Sequence, residues 1–399
     1  MKTKFVLLLT CGIFLNLQAQ KVLFDATKAE MAGNADWVID ADQHNLKTGV
    51  TVTLGGTQSN PQRFPTPDQS NITASTSETY WTGALSYWAI DLVRQGMYVE
   101  TLPYDAKITY KDASNPQDLS NYDIYIVDEP NIPFTMLEKQ AILNFVKDGG
   151  GLYIIADHDV SDRNGNGWDS PMIWNDFFNN NGIVSNPFGF TFTKSNVSPT
   201  SSNFVPTSTN PLILNGPMGA PKMIKYSNGS YMQIDKNANA TVQPLIFSSG
   251  IAQTSNTNIL FLTSTYGAGK IVGLGDSSVP DDGTGDPLDN LYNGYTGDAN
   301  GNHRPLLVNS VVWLAKKENM GTQDNTFNSV KIYPNPTEDY INISEKDYNR
   351  FDVIDQTGRL MSNGDIIESR IDVKKLNSGV YYLVLKSDSK SETIRFIKN

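Results

Sequence analysis

Asp157-His158-Asp159 stands directly after the apolar run Leu152 to Ala156, and Asp25, Asp128-Glu129 and Asp276 follow three other apolar runs in the same way. Carboxyls gathered beside an imidazole can pass protons near neutral pH, because imidazole titrates there. Paired carboxyls are also the working groups of glycoside cleavage, where two acids flank the bond. The candidate catalytic set is therefore Asp157, His158, Asp276, Glu129 and His303. Asp and Asn also follow strands simply to cap turns and helix starts, so position alone does not separate the two roles. The three histidines, His44, His158 and His303, sit in Asp/Asn-rich, turn-like segments and not on apolar faces.

The same oxygens suit hard divalent cations. Asp25, Asp128 and Asp159 are ligand candidates at the strand ends. Asp162-Arg163-Asn164-Gly165-Asn166-Gly167-Trp168-Asp169 adds oxygens at Asp162, Asn164 and Asn166, a glycine where a calcium loop turns, and Asp169. It is the opening half of an EF-hand-like pattern, and Ile173 stands where the closing glutamate belongs. A second excursion, Gly275 to Asp286 and on to His303, carries Asp281, Asp282 and Asp286. Loops of that length inside a compact domain are more often functional than idle. Calcium is the first expectation for a metal, with zinc or magnesium as alternatives.

Elements must deliver these groups to one place. Lys21 to Asp25, Tyr98 to Leu102, Asp123 to Asp128 and Leu152 to Ala156 read as strands. Thr82 to Gln95 reads as a helix, and Thr135 to Lys147 as another, with Thr135 as N-cap and Glu138 as its capping-box partner. Asn258 to Thr263 and Lys270 to Gly275 return to strand, and Leu306 to Leu314 reads as a closing helix. Such alternation predicts a parallel sheet with helices on both faces, and ligands bind beyond the carboxyl ends of its strands. The Ser, Asn, Thr and Pro-rich stretch from Ser185 leads into a β-rich insertion at about 185–257.

Met1 to Gln20 has Lys2 and Lys4, an apolar run from Phe5 to Leu17 and a small-residue end, the pattern of a cleaved secretory signal. The run is too short to span a bilayer, and no transmembrane segment is expected downstream. Cleavage removes the single cysteine, Cys11, and two lysines, leaving 42 acids against 29 bases, a charge of −13 in place of −11. Cysteine nucleophiles and thiolate metal sites are thereby excluded. Excess acid disfavours nucleic acid as a partner.

After the cargo at 21–317 and a polar linker at 318–329, residues 330–399 read as short alternating strands, a small all-β sandwich. Val330-Lys331-Ile332-Tyr333-Pro334-Asn335-Pro336, Asp355-Gln356-Thr357-Gly358-Arg359, Leu376-Asn377-Ser378-Gly379-Val380-Tyr381-Tyr382 and the terminal Phe396-Ile397-Lys398 resemble the type A sorting domain of the type IX secretion system of the Bacteroidota. That resemblance implies the type IX machinery as a partner and export to the medium or the outer cell surface.

Tyr122-Asp123-Ile124-Tyr125-Ile126-Val127, Pro133-Phe134-Thr135-Met136-Leu137-Glu138 and Phe145-Val146-Lys147-Asp148-Gly149-Gly150-Gly151-Leu152 resemble the class I glutamine amidotransferase-like superfamily, closest to trehalose-utilisation-protein-like branches. The resemblance implies a flavodoxin-like sheet. Its catalytic cysteine belongs just after Leu152 to Ala156, where this chain has Asp157-His158-Asp159, so amidotransferase activity is not expected.

The expectation is an α/β protein with a flavodoxin-like sheet and an all-β tail, acting as a divalent-metal-supported hydrolase of an extracellular polysaccharide or glycan. A serine hydrolase is disfavoured, since no Gly-x-Ser-x-Gly elbow occurs. The alternative is a non-catalytic, calcium-stabilised carbohydrate-binding or surface adhesion module, with Tyr80, Trp81, Trp168, Trp174, Tyr292 and Tyr295 as stacking candidates. A secreted nuclease, using the same acids with magnesium, ranks below both.

Overall fold

The computed structural model describes residues 19–39, 44–45, 50–51, 69–285, 290–297, 301–316, 332–344, 348–355, 359–387 and 391–399. The signal segment before Ala19, the linker 318–329, Asp286 and the side chain of His44 lie outside the described residues. The chain forms two compact units, residues 1–318 and 319–399.

In the first unit, β1 (Lys21–Asp25), β2 (Tyr98–Leu102), β3 (Ile124–Asp128), β4 (Gly151–Ile155) and, much later, Gly269–Leu274 are joined in parallel. Among the described residues, α1 (Ser86–Arg94), α2 (Met136–Lys147) and α3 (Ser170–Asn179) are three of the four helices of eight or more residues in this unit. The insertion contributes β5 (Phe190–Phe192), β6 (Met232–Ile234) and β7 (Gln243–Phe247). Then come β8 (Ile259–Tyr266), β9 (Gly269–Leu274) and α4 (Arg304–Ala315). The parallel part runs β2-β1-β3-β4-β9, the flavodoxin-like order. β8, β6 and β5 extend the same sheet in antiparallel fashion, so the insertion adds strands to the main sheet, while its short strands Thr200–Ser201 and Ile224–Lys225 pair apart from it. The β8–β9 turn needs Gly267: its φ is +60°, and an added Cβ would lie 2.3 Å from the Lys147 carbonyl oxygen.

Continuous apolar runs make the central strands buried on both faces. Trp88 of α1 packs edge-on against Phe24 and Tyr153, and Asp91 of α1 pairs with Arg304 of α4 at 2.6 Å. On the opposite face α2 and α3 share the ring cluster Phe134, Trp174 and Phe177, closed by the Lys139–Asp176 ion pair. Helix α1 begins at Ser86 and not at Thr82, because Ala84 and Leu85 donate their N–H groups to Asp36 and Val38. The capping box of α2 is formed by Thr135 and Glu138.

The second unit holds a three-stranded antiparallel sheet (Ile332–Tyr333, Tyr340–Ile343, Arg370–Asp372). Its four-stranded partner sheet takes Leu360–Asp365, Arg350–Asp355, Gly379–Lys386 and Ser391–Lys398. Tyr381, Leu383 and Leu385 alternate inward against Ile341, Val353 and Phe396.

Candidate active site

The carboxyl ends of β1, β3, β4 and β9 carry Asp25, Asp128-Glu129, Asp157 and Asp276 to one edge of the sheet. Glu129 is wholly buried and accepts from Arg163 Nε at 2.6 Å, from Ser277 Oγ at 2.7 Å and from Trp37 Nε1. The Arg163 fork continues to Asp157, with Nη2 3.0 Å from Oδ2. Burial pushes the Asp157 carboxyl well above the usual carboxylate range; the facing Glu129 charge adds to this, and Arg163 opposes it. Two carboxyls thus share one guanidinium, and burial favours the neutral form at Asp157.

His158 sits at the mouth of this pair, its side chain 18% exposed, with Nε2 3.7 Å from Asp157 Oδ2. Its Nδ1 lies 2.6 Å from the Asp159 carbonyl oxygen and 3.2 Å from Asn196 Nδ2. A carbonyl only accepts, so in the neutral ring Nδ1 carries the proton and Nε2 faces Asp157 as acceptor.

Asp128 is 1% exposed and neither of its carboxyl oxygens has a hydrogen-bond partner. Burial, then the charges of Glu129, Asp276 and Asp281, push it well above the carboxylate range. Asp276 accepts from the Ser278 N–H at 2.8 Å, from Ser278 Oγ at 2.6 Å and from the Ser227 N–H, and burial raises it to about 7. Asp281 is fully buried and accepts from the N–H groups of Gly283 and Tyr292, both at 2.7 Å. Asp25 accepts from Thr27 and shares a buried corner with Glu30, apart from the Arg163 cluster; burial raises both.

Backbone strain marks the same edge. Glu129 has φ +42° and Val160 φ +63°, conformations that a buried or β-branched residue adopts only when its surroundings impose them. Val160 is held by its N–H to Asp169 at 2.9 Å, while its side chain is 76% exposed beside His158.

The remaining candidates have other partners. His303 is buried, its Nε2 accepting the Lys225 N–H at 2.9 Å where α4 begins, away from His158. Asp282 accepts from Tyr87 N at 2.8 Å and from Thr284, capping α1 from outside. Asp162 accepts from the N–H groups of Asn166 and Gly167, and Asp169 caps α3 through Met172 N at 2.8 Å. Asn164 and Asn166 turn amide donors, not oxygens, toward the Asn131 carbonyl, at 2.9 and 2.8 Å. Asp159 is half-buried at the rim. Among the described residues no three His, Cys, Asp or Glu side chains are grouped so that they could hold a metal ion. Of the aromatic candidates Trp81, Trp174 and Tyr295 are core, Trp168 and Tyr292 half-buried, and Tyr80 is 41% exposed.

Arg163, Trp37 and Asn131 complete the site without having stood out in the sequence. Arg163 was discernible as a lone cation among oxygen-rich neighbours. Asp169-Ser170-Pro171 also carried the signature of a helix start, N-cap then proline, that marks α3.

Comparison with known proteins assigns the tail. Residues 331–399 match the secretion system C-terminal sorting domain, so the chain is exported by the type IX route to the medium or the outer surface. Among the described residues no helix is long and apolar enough to cross a membrane. Beta-agarase D of Zobellia galactanivorans is 35% identical over 66 residues of the tail, 16% of this chain and 14% of the agarase. Similar solved structures include the N-terminal domain of mmIFT52, at 12% identity and TM-score 0.42, covering 75% of this chain and all of that one. A ThuA-like protein from Parabacteroides merdae has 14% identity and TM-score 0.35, over 76% of this chain and 93% of that one. At these scores neither speaks to function.

Proposed function

We propose that this exported protein is a hydrolase of an extracellular polysaccharide or glycan, working through the carboxyl pair Asp157 and Glu129. The observation that carries this reading is geometric: the buried Asp157 carboxyl stands between the Arg163–Glu129 ion pair and the half-open imidazole of His158, and its burial favours the proton-bearing form. Two titratable groups in such different surroundings are what acid–base cleavage requires. Asp157 would give its proton to the leaving oxygen. His158, its Nδ1 anchored, would take a proton from the attacking water through Nε2 or return one to Asp157. Arg163 stabilises the negative charge left on the carboxyls. The metal expected from sequence has no assigned step, because the oxygens of the Asp162 loop already accept backbone N–H groups.

Reducing-end release from a panel of plant, algal and bacterial polysaccharides tests the reading. The wild-type chain should depolymerise at least one of them, and His158→Ala should lose most of that rate while its melting temperature stays unchanged. Cleavage by the variant at the wild-type rate would refute the assignment.

A further inference from the structure

Next to the acid edge, a cleft of about 300 Å³ opens between the loop after β9 and the segment leading into α1. Its walls are Glu78, Thr79, Tyr87, Asp282, Asn293 and Thr296, joined by Thr284. We propose that this cleft binds the hydroxyl groups of a neutral saccharide, a subsite beside the carboxyl pair; this rests on the hydrolase reading above. The volume is at the small end for ligand sites, about 300 Å³, the scale of a single sugar ring.

The polar groups decide the ligand class. Among the described residues no Lys or Arg lines the cleft, the guanidiniums of Arg94 and Arg304 being engaged on the Tyr87 ring and on Asp91, and two carboxyls do, which opposes an anionic ligand. A cationic ligand would need carboxylates with open oxygens. Asp282, however, already accepts three protein donors, from Tyr87 N and both polar groups of Thr284. Glu78 accepts the Tyr87 hydroxyl at 2.7 Å. Hydroxyl, amide and partly engaged carboxyl groups together suit hydroxyls, which both donate and accept.

The cleft is also built, not incidental. Asn293 sits at φ +54° between two glycines. A Cβ on Gly283 would lie 2.9 Å from Asn293 Cβ, and one on Gly297 would lie 2.0 Å from Asn293 Nδ2. Its amide is thereby held against the cleft wall. In the same loop Asp281 is buried on the N–H groups of Gly283 and Tyr292, and the next residue, Asp282, lines the cleft. A sugar bound here would place the adjoining residue of its chain toward the carboxyl edge.

The test titrates the full chain by calorimetry with hexasaccharides of β-1,4-glucose, β-1,3-glucose and β-1,4-mannose, with an oligogalacturonate as the acidic control and chitosan hexamer as the cationic one. At least one neutral hexamer should bind. Glu78→Ala with Asn293→Ala should weaken it tenfold or more, and Glu78→Ala alone, at an exposed position, should weaken it measurably without changing the melting temperature. Asp157→Asn should bind within twofold of wild type. No neutral binder, tighter binding of the chitosan hexamer, or affinity unchanged in Glu78→Ala and in the double variant would overturn the subsite. If the double variant binds and cleaves like wild type while Asp157→Asn does not cleave, the subsite falls and the hydrolase stands. If the double variant loses affinity and no chain cleaves any probe, the subsite stands and the hydrolase falls.

Discussion

Two Asp-rich regions of the α/β unit look alike in sequence and are used in opposite ways. In the loop 162–169 every oxygen that resembled a cation ligand is engaged by the protein. Asp162 closes its own turn, Asp169 caps α3, and the Asn164 and Asn166 amides dock on Asn131. Asn131 in turn accepts the Arg163 N–H at 2.9 Å and donates to the Glu129 carbonyl at 2.8 Å. The loop is therefore a bracket that sets Arg163 over Glu129. At the strand edge, by contrast, Asp128 lacks hydrogen-bond partners and burial pushes the Asp157 carboxyl well above the usual carboxylate range. Satisfied polar groups build structure, and groups held away from their preferred state are available for chemistry.

The sharpest break of this contrast compares Asp157→Asn with Asp162→Asn. The first should lower the hydrolytic rate by about 100-fold or more, the usual worth of a positioned proton donor, and the second should leave it within a few-fold. Equal losses would mean that the two regions do not differ as described.

Next in size is Arg163→Met, which leaves Glu129 buried beside Asp157 with its ion pair gone. A loss of about 3–5 kcal/mol is expected in chemical denaturation, as for other broken buried pairs. Asp162→Ala should cost only about 1 kcal/mol.

A smaller effect follows from pH. Asp276 keeps its proton in the folded chain up to about 7, whereas an unfolded aspartate loses it near 3.9. Between those values the folded state binds more protons, so stability should fall as pH rises from about 4 to about 7. Asp128 adds to the same slope, its folded carboxyl being raised as well. Asp128→Asn should flatten the slope and raise the unfolding free energy at pH 8 by on the order of 1 kcal/mol, since the group is unpartnered in its burial. A wild-type chain that grows more stable over this range would contradict the protonated edge.

The smallest expected effect is that of chelator. EDTA should leave the melting temperature of the folded chain unchanged, because the loop oxygens are already engaged by N–H groups. A clear drop would restore the calcium reading of that loop.

Much of this fold was legible because periodicity and caps are local. β1, β2, α2 and the hairpin strands β8 and β9 stand close to where apolar runs and the Thr135 capping box predicted them. The strand ends, and hence the acids they carry, followed from the same runs. What the sequence did not reveal was direction. Asn164 and Asn166 carry both an oxygen and an amide donor, and only the position of the Asn131 carbonyl decides which is used. His303 likewise resembled His158 in context, yet the N–H of Lys225, far along the chain, claims its ring. A partner remote in sequence, such as Trp37 on Glu129, leaves no local trace.

Carboxyl-detected NMR of the wild-type chain, with Asp157→Asn assigning the signal, measures the protonation on which the acid–base reading depends. Asp157 should titrate with a midpoint well above the ordinary aspartate value near 3.9. A titration midpoint near that ordinary value would mean that Arg163 holds Asp157 as a plain ion pair, and would contradict its role as the proton donor.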